Sequence, residues 1–183
     1  AQARIAELAE RGTTTGFLPF ADALATAADR STDPTRRALQ GLMPNADLER
    51  IMGGCEPGSL IIVAARPSVG KSVFGQQATT VAGRRGYASA FFSGEMPAEQ
   101  LAMRALAAYS NVPLSEIREG KASTKSGLIS DAMCKLAALP IKVDDTGGLH
   151  INQVVARARA LHRRHKLGLI VVDYLTLIRG DGD

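Results

Sequence analysis

The stretch LIIVAARPSVGKS, residues 60–72, decides the fold. An apolar run from Leu60 to Ala64 is followed by a loop that ends in Lys71 and Ser72, and then by a helix-forming segment. Strand, phosphate-cradling loop and helix, in that order, are the context that makes a Walker A match credible. Ala65 stands where the motif usually has its first glycine. The stretch predicts a binding site for a nucleoside triphosphate.

Each part of the predicted loop has a defined contact with a nucleoside triphosphate. The main-chain N–H groups of the loop and of the helix N-terminus form a concentrated anion site. Lys71 is expected to reach the β- and γ-phosphates, and the Ser72 hydroxyl is expected to ligate Mg²⁺. The residues predicted to contact the nucleotide are Arg66, Pro67, Ser68, Val69, Gly70, Lys71, Ser72 and Val73.

The composition is that of a soluble globular protein. The chain has 183 residues, of which 45% are hydrophobic and 22% are charged, enough for a real core. The net charge of +4 permits a polyanionic partner without demanding one. Cys55 and Cys134 lack a CxxC spacing, so we expect free thiols in a reducing cytosol. No apolar stretch approaches the length of a membrane span, so no membrane contact is expected.

The apolar pattern changes at about residue 47, where the chain becomes compact α/β. Segments 1–11 and 17–30 have helical spacing; the second is expected to pack either on its own domain or on a neighbouring subunit. Strands then alternate with helices, which predicts a parallel sheet covered on both faces. The predicted strands are 59–65, 87–92, 141–143 and 169–172, and the predicted helices are 71–82, 97–109, 126–138 and 150–166, with a shorter helical piece from Pro113.

Two acidic residues follow predicted strands. Asp173 ends strand 169–172, at the edge where open α/β sheets bind ligands, and a carboxylate there can hold Mg²⁺ through a water, which is the Walker B role. Glu95 follows strand 87–92; if that strand neighbours the P-loop strand, Glu95 can orient and deprotonate an attacking water. Alternatively, Asp173 only ends its strand at a turn. The alternative for Glu95 is an acidic residue that the N-terminus of the following helix stabilises.

The remaining polar groups have plainer interpretations. Asp144 and Asp145 precede a glycine turn and are expected to cap the next helix rather than to bind metal, and His150 is interpreted as a turn or N-cap residue. His162 and His165 are spaced for a metal but lack a nearby carboxylate or cysteine. We expect the basic face of helix 150–166 to be solvated; the alternatives are that it contacts phosphate or forms a subunit interface. The basic residues of this helix are Arg157, Arg159, Arg163, Arg164 and Lys166.

Three segments in order, ARPSVGKS, FFSGEMPAEQLAMR and GLIVVDYLTLI, make the chain resemble the DnaB-type hexameric replicative DNA helicases of bacteria or phages. The similarity runs from about Leu48 to the end of the chain. It implies a RecA-like P-loop core that binds ATP and Mg²⁺. Lys71 and Ser72 match the family's Walker A residues, Glu95 its catalytic glutamate and Asp173 its Walker B aspartate. Gly94 stands where the family usually has leucine.

The resemblance also implies partners and a domain division. Segment 17–30 is similar to the family's linker helix, which docks on the adjacent subunit of the ring, so we expect a linker unit at 1–40 and the N-terminal portion of an ATPase domain at 41–183. The family's sensor glutamine, DNA-binding loops and arginine finger lie beyond the Walker B strand. We therefore expect a portion of a longer polypeptide that binds single-stranded DNA through other residues. A helicase loader and primase are expected partners, in the cytoplasmic replisome.

RecA-like folds also insert a later strand between the P-loop strand and the Walker B strand, so we expect the core of this chain to be incomplete. Two alternatives stay open from the sequence. One is a non-helicase RecA-family ATPase of the RadA or KaiC kind, against which Met96-Pro97 and Asp173-Tyr174-Leu175 argue. The other is a nucleotide-binding and assembly module that has no turnover as the isolated chain.

Overall fold

The computed structural model describes residues 18–32, 42–66 and 68–173. The chain divides into two units, residues 1–38 and residues 39–183. The first unit contains helix α1 (Phe20–Thr32), which begins directly after Pro19, whose carbonyl accepts the amides of Asp22 and Ala23. The helix predicted at 17–30 is therefore confirmed with shifted ends, and the helix predicted at 1–11 lies outside the described residues.

The second unit alternates helices with strands, as predicted. Most predicted elements are confirmed to within about two residues at each end, the usual uncertainty of such boundaries. The helices are α2 (Ala46–Met52), α3 (Lys71–Arg84), α4 (Ala98–Ser110), α5 (Leu114–Arg118), α6 (Ser126–Ala137) and α7 (Ile151–His165), with a 3-10 turn at Ser123–Lys125; the strands are β1 (Ser89–Ser93), β2 (Ile141–Asp144) and β3 (Leu169–Asp173).

Helix α2 was not predicted from the sequence, although its ends carry strong signals. Asn45 is the N-cap, and its side-chain oxygen accepts from the amides of Asp47 and Leu48. Gly53 ends the helix in the left-handed conformation, with φ of 74°, which glycine adopts without strain. The helix is too short for its apolar spacing to be recognised, so the caps were the only usable signal.

The sheet is parallel, in the order β2-β1-β3. Phe91 in the middle of β1 lies opposite Val143 of β2 and Val171 of β3. All five residues of β1 are buried, as expected for a central strand between two covered faces. The predicted α/β class with a parallel sheet is confirmed.

Helices cover the two faces of β1. On one face Ala90 and Phe92 form a core cluster with Val154 and Ala158 of α7. On the other face α3 approaches so closely that a Cβ on Gly75 would lie 3.0 Å from Val171 Cγ1 and 3.4 Å from a ring carbon of Phe91. The helices cover the outer strands less completely, since Val143 of β2 and Ile170 of β3 are exposed.

The strand predicted at 59–65 is wrong for the described structure, because residues 59–66 have no regular secondary structure. Leu60 and Ile62 are 85% and 77% exposed. A strand requires a hydrogen-bonded neighbour as well as an apolar sequence, and none of the described strands pairs with this segment. Since β1 lies between β2 and β3, the premise that the strand before Glu95 neighbours the P-loop strand is not met in this sheet.

Two predictions from composition can be compared with the structure. Cys55 and Cys134 are free thiols, as expected, and burial, followed by the nearby Glu49 charge, raises the pKa of Cys55. Within 18–32, 42–66 and 68–173, no helix has the length and apolarity needed to cross a membrane.

Candidate nucleotide-binding site

The predicted phosphate loop leads directly into α3. Ser68 and Gly70 have φ of 66° and 108°, left-handed values that bend the chain sharply before the helix. Gly70 is the N-cap and supplies no side-chain acceptor, and the first turn of α3 contains no acidic residue. The first N–H groups of α3 therefore keep the partial positive charge of a helix N-terminus.

The predicted nucleotide contacts differ in exposure. Lys71 and Ser72 are half-buried at the start of α3, and Val73 follows them in the first turn. Arg66, Ser68 and Val69 are exposed, Gly70 is half-buried, and Pro67 lies outside the described residues. The structure thus brings the ammonium and hydroxyl groups to one end of α3, and it leaves the preceding loop open to solvent.

Lys71 and Asp173, 102 positions apart by their numbers, form an ion pair of 3.4 Å between Nζ and Oδ1. The Lys71 side chain is 30% exposed and that of Asp173 is 5% exposed. Neither carboxylate oxygen of Asp173 accepts a hydrogen bond from any residue that the structure describes. A buried carboxylate without hydrogen bonds is costly, and the Lys71 charge compensates only part of that cost.

Close packing of α3 against β3 creates this pair. Gly75, one turn after Lys71, meets Val171 two residues before Asp173. With no side chain at position 75, the helix lies directly on the strand, so the N-terminus of α3 reaches the carboxyl end of β3. Carboxyl ends of parallel strands are where open α/β sheets bind ligands.

The Glu95 loop lies at the same edge of the sheet and is anchored to it. The Gly94 amide donates to the Asp173 carbonyl at 2.7 Å. Ser93, at the buried end of β1, donates through its hydroxyl to the Met96 carbonyl at 2.6 Å and accepts from the Met96 amide at 3.3 Å. Glu95 itself is exposed between these two anchors. The loop backbone is therefore fixed next to the end of β3, while the carboxylate faces solvent.

Glu95 lies outside α4, which begins at Ala98. The acidic residue in the first turn of α4 is Glu99. Glu99, and not Glu95, is therefore the acidic residue of the first helical turn, where the interaction with the helix N-terminus is strongest.

Asp145 caps a different helix from the one predicted. Its Oδ2 accepts from the Ala98 amide at 2.9 Å, across 47 residues of sequence, and so it caps α4. The next helix, α7, is instead capped by His150, whose ring nitrogen accepts from the Asn152 amide while its own amide donates to Gln153. The interpretation of His150 as an N-cap residue is confirmed, and the cap predicted for the aspartate pair is corrected.

Asp144 is tied to α7 by side-chain contacts. Arg157 donates to Asp144 Oδ2 at 2.7 Å and to the Thr146 hydroxyl at 3.0 Å. Burial alone would raise the pKa of Asp144, but the hydrogen bonds from Arg157 and Thr146 outweigh burial and lower that pKa. Arg157 thus has a structural partner although it is exposed, as are the other basic residues of this region, Arg159, Arg163, Arg164 and Lys166.

Two contacts at this edge were not predicted from the sequence, that of Ser93 with Met96 and that of Asp145 with Ala98. A weak signal existed for Ser93, since a serine at a strand end often hydrogen-bonds to the backbone of the following turn. The signal for Asp145 was that the amide of Ala98, the first residue of its helix, has no acceptor within that helix. The identity of the distant acceptor could be read only from the folded chain.

Comparison with known proteins places the chain in a family. The family described as "DnaB-like helicase C terminal domain" matches residues 43–183. The chain is 37% identical over 187 aligned residues to the replicative DNA helicase DnaC of Bacillus subtilis, covering all of this chain and 41% of that protein. It is 41% identical over 138 residues to the replicative DNA helicase DnaB of Geobacillus stearothermophilus, covering 74% of this chain and 30% of that protein.

Two solved structures have a similar fold. One, an ATPase domain, superposes with a TM-score of 0.79 at 20% identity, covering 92% of this chain and 62% of that one. The other, a DnaB-like replicative helicase studied with its interactions with primase, gives a TM-score of 0.76 at 22% identity over all of this chain and 46% of that one. The chain spans less than half the length of the two curated relatives. With its parallel α/β fold and with the family match over residues 43–183, the chain belongs to the DnaB-like helicase C-terminal domain family.

Proposed function

We propose that the chain is part of the motor of an ATP-dependent replicative DNA helicase, which binds and hydrolyses ATP with Mg²⁺ to unwind duplex DNA. The observation that carries this proposal is the Lys71–Asp173 pair, which joins the start of α3 to the end of β3 beside the Glu95 loop. Family membership supports a helicase over an ATPase of the RadA or KaiC kind. A strand-displacement assay on the whole protein distinguishes these two classes.

The residues at this edge fit a magnesium–nucleotide complex. The described residues contain no group of three or more His, Cys, Asp and Glu side chains that could hold a metal ion. Mg²⁺ does not need such a group, because it usually binds through one or two carboxylates together with substrate phosphates and waters. Asp173 offers two buried oxygens without hydrogen-bond donors, which suits a ligand water.

In this proposal the Ser72 hydroxyl and, through a water, the Asp173 carboxylate would hold Mg²⁺. When bound, Mg²⁺ would neutralise charge on the β- and γ-phosphates. Lys71 leaves Asp173 and contacts the same phosphates, while the N–H groups at the start of α3 bind the remaining phosphate oxygens. The chain's own residues thus bind and orient the triphosphate before any bond is broken.

Glu95 supplies the proton acceptor for hydrolysis. Its carboxylate orients the attacking water and accepts its proton as the water oxygen bonds to the γ-phosphorus, while the bond from that phosphorus to the β–γ bridging oxygen breaks and ADP leaves with the electron pair. The anchored backbone on both sides of Glu95 supports this role, because a base must be held within hydrogen-bond reach of the water. An arginine from a neighbouring subunit is expected to complete the charge stabilisation.

Assembly is a further part of the proposal. We propose that α1 docks on the adjacent subunit of a hexameric ring, since Phe20 and Leu24 are exposed apolar residues on this helix. Single-stranded DNA is proposed to bind through residues outside this chain, and a loader and primase are proposed partners in the replisome. One structurally similar DnaB-like helicase is described with its interactions with primase.

The proposal is tested by replacing Glu95 with Gln in the whole protein. We expect the hydrolysis rate to fall by a factor of about 10² to 10⁴, the usual contribution of a general base, with ATP affinity unchanged. Glu99→Gln is the matched control, because Glu99 is also exposed and lies four positions further along. Unchanged hydrolysis in the Glu95 variant, or an equal loss in the control, would remove Glu95 from the mechanism.

A second proposal concerns the 183-residue chain by itself, which we propose to be a nucleotide-binding module with little turnover. The segment leading into the phosphate loop is highly exposed at Leu60 and Ile62 and pairs with no described strand. A loop held on one side only is less precisely positioned than catalysis requires. The test is ATP hydrolysis by this chain with and without single-stranded DNA, and strong stimulation by DNA would refute the proposal.

A further inference from the structure

We infer that Asp145 is a positioning residue for Glu95, an inference that rests on the proposed function. Asp145 follows β2 and is not among the residues proposed to contact the nucleotide. Its carboxylate reaches across the sheet edge to the first residue of α4, the helix that continues the Glu95 loop. It thereby adds a second anchor on the carboxyl-terminal side of Glu95, beyond the contact between Ser93 and Met96.

The amide of Ala98 needs an acceptor from outside α4. The first N–H groups of an α-helix have no partner within the helix, and an N-cap side chain accepts from the second or third helical residue and not from the first. Ala98 is the first residue of α4, and the N-cap, Pro97, has no acceptor side chain. Asp145 accepts from the Ala98 amide at 2.9 Å, so the starting point of α4 is tied to the turn after β2.

The loop is held on both sides of Glu95, and Asp145 adds an anchor where the loop enters α4. Ser93 fixes Met96 through two hydrogen bonds, and Gly94 is bound to the carbonyl of Asp173. Asp145 fixes Ala98, only three residues after Glu95. The short span between these anchors limits how far the Glu95 backbone can shift relative to β3 and Lys71.

Asp145 is itself held in place by its neighbours. Asp144, the preceding residue, pairs in register with Phe92 of β1 and accepts a hydrogen bond from Arg157 of α7. The Thr146 amide, on the other side, donates to Asp144 Oδ1 at 3.1 Å. The turn is therefore attached to both the central strand and α7, which allows Asp145 to act as a fixed point and not as a mobile surface carboxylate.

The inference predicts a separation between binding and turnover. In the whole protein, Asp145→Ala removes the acceptor, and we expect kcat for ATP hydrolysis to fall by about 10-fold to 100-fold, the range associated with small misplacements of catalytic groups. The nucleotide dissociation constant should change by less than about 2-fold, because none of the proposed phosphate ligands is altered. Asp131→Ala, an exposed carboxylate on α6 paired with Lys135, is the control for loss of a surface charge.

Two comparisons separate positioning from a purely structural cap. Asp145→Asn keeps a side-chain oxygen that can accept from the Ala98 amide, so it should recover most of the rate lost in the alanine variant. In a Glu95→Gln background, Asp145→Ala should change the residual rate by less than about 2-fold, since a positioning residue has nothing left to position. The hydrolysis rates of all these variants are measured at a temperature well below the unfolding midpoint of each.

The outcomes distinguish this inference from the proposed function. If Glu95→Gln leaves hydrolysis intact, the proposed function fails and so does the inference built on it. If Glu95→Gln abolishes hydrolysis but Asp145→Ala retains the wild-type kcat, only the inference is overturned. Equal losses in Asp145→Asn and Asp145→Ala, or a full additional loss in the Glu95→Gln background, would also overturn it, because the hydrogen bond to Ala98 would not be the cause.

Discussion

Replacing Gly75 by Ala tests the close approach of α3 to the sheet. Two effects oppose each other. Alanine stabilises a helix interior relative to glycine by about 1 kcal/mol. The new methyl group, however, would lie 3.0 Å from Val171 Cγ1, whereas carbon atoms pack best at about 3.5–4.0 Å, so helix and strand must separate by roughly 0.5–1 Å.

Overpacking of this kind costs about 1–3 kcal/mol, so the net effect of Gly75→Ala should lie between zero and a loss of about 2 kcal/mol. Gly127→Ala is the matched control, since Gly127 lies in helix α6 and an added Cβ would have no neighbour within 4 Å. The control should gain a few tenths to about 1 kcal/mol. The two variants should therefore differ by about 1–3 kcal/mol.

Stability is measured in the whole protein by amide hydrogen exchange in α3 and β1 for the first variant and in α6 for the second, which reports local opening in a multidomain protein. Faster exchange in Gly75→Ala with slower or unchanged exchange in Gly127→Ala is the expected result. If both variants are stabilised equally, α3 does not rest on β3 at Gly75, and the explanation given for the Lys71–Asp173 contact is wrong.

Two further predictions concern the aspartates of the sheet edge. Asp173→Asn should abolish Mg²⁺-dependent ATP hydrolysis while leaving the nucleotide-free protein at least as stable, because it removes a buried charge whose oxygens lack hydrogen bonds; a marked drop in its thermal unfolding midpoint would contradict this. For Asp144 the folded-state pKa is lowered, so its ionised form stabilises the fold above the unfolded-state pKa of about 4, and that stability is lost as the pH falls through about 4 and below. The unfolding midpoint should therefore decrease more steeply between about pH 5 and pH 3 in the wild type than in Asp144→Asn, and parallel curves would show that the Arg157 contact contributes nothing.

The sequence predicted the elements whose signals are local. Apolar spacing and glycine turns were enough to place α3, α7 and β3 to within about two residues. The same reasoning placed Lys71 at the start of a helix and Asp173 at the end of a strand. Their contact could also be anticipated, since both belong to the edge where ligands bind in parallel α/β sheets.

Features that depend on distant partners could not be predicted in this way. The run Leu60 to Ala64 has the composition of a buried strand, but strand formation requires a neighbour that composition does not specify. Asp145 precedes a glycine turn and a helix, so local rules assigned it to that helix, whereas its actual partner lies 47 residues earlier. Long-range hydrogen bonds of this kind follow from the packing of the sheet and its crossovers.

The pairing of Lys71 with Asp173 has a consequence for how the nucleotide enters. In the proposed site, before a nucleotide arrives, the charges of Lys71 and Asp173 compensate each other, so Lys71 adds little to the attraction that the first N–H groups of α3 exert on an anion. The triphosphate alone would take Lys71 and leave Asp173 as an uncompensated buried anion close to the phosphates. A cation arriving with the triphosphate would remove that penalty, so the proposed site would link nucleotide affinity to cation affinity through this one ion pair. In the proposed site, the Lys71–Asp173 pair would therefore favour binding of the cation–triphosphate complex over binding of the triphosphate or the cation alone.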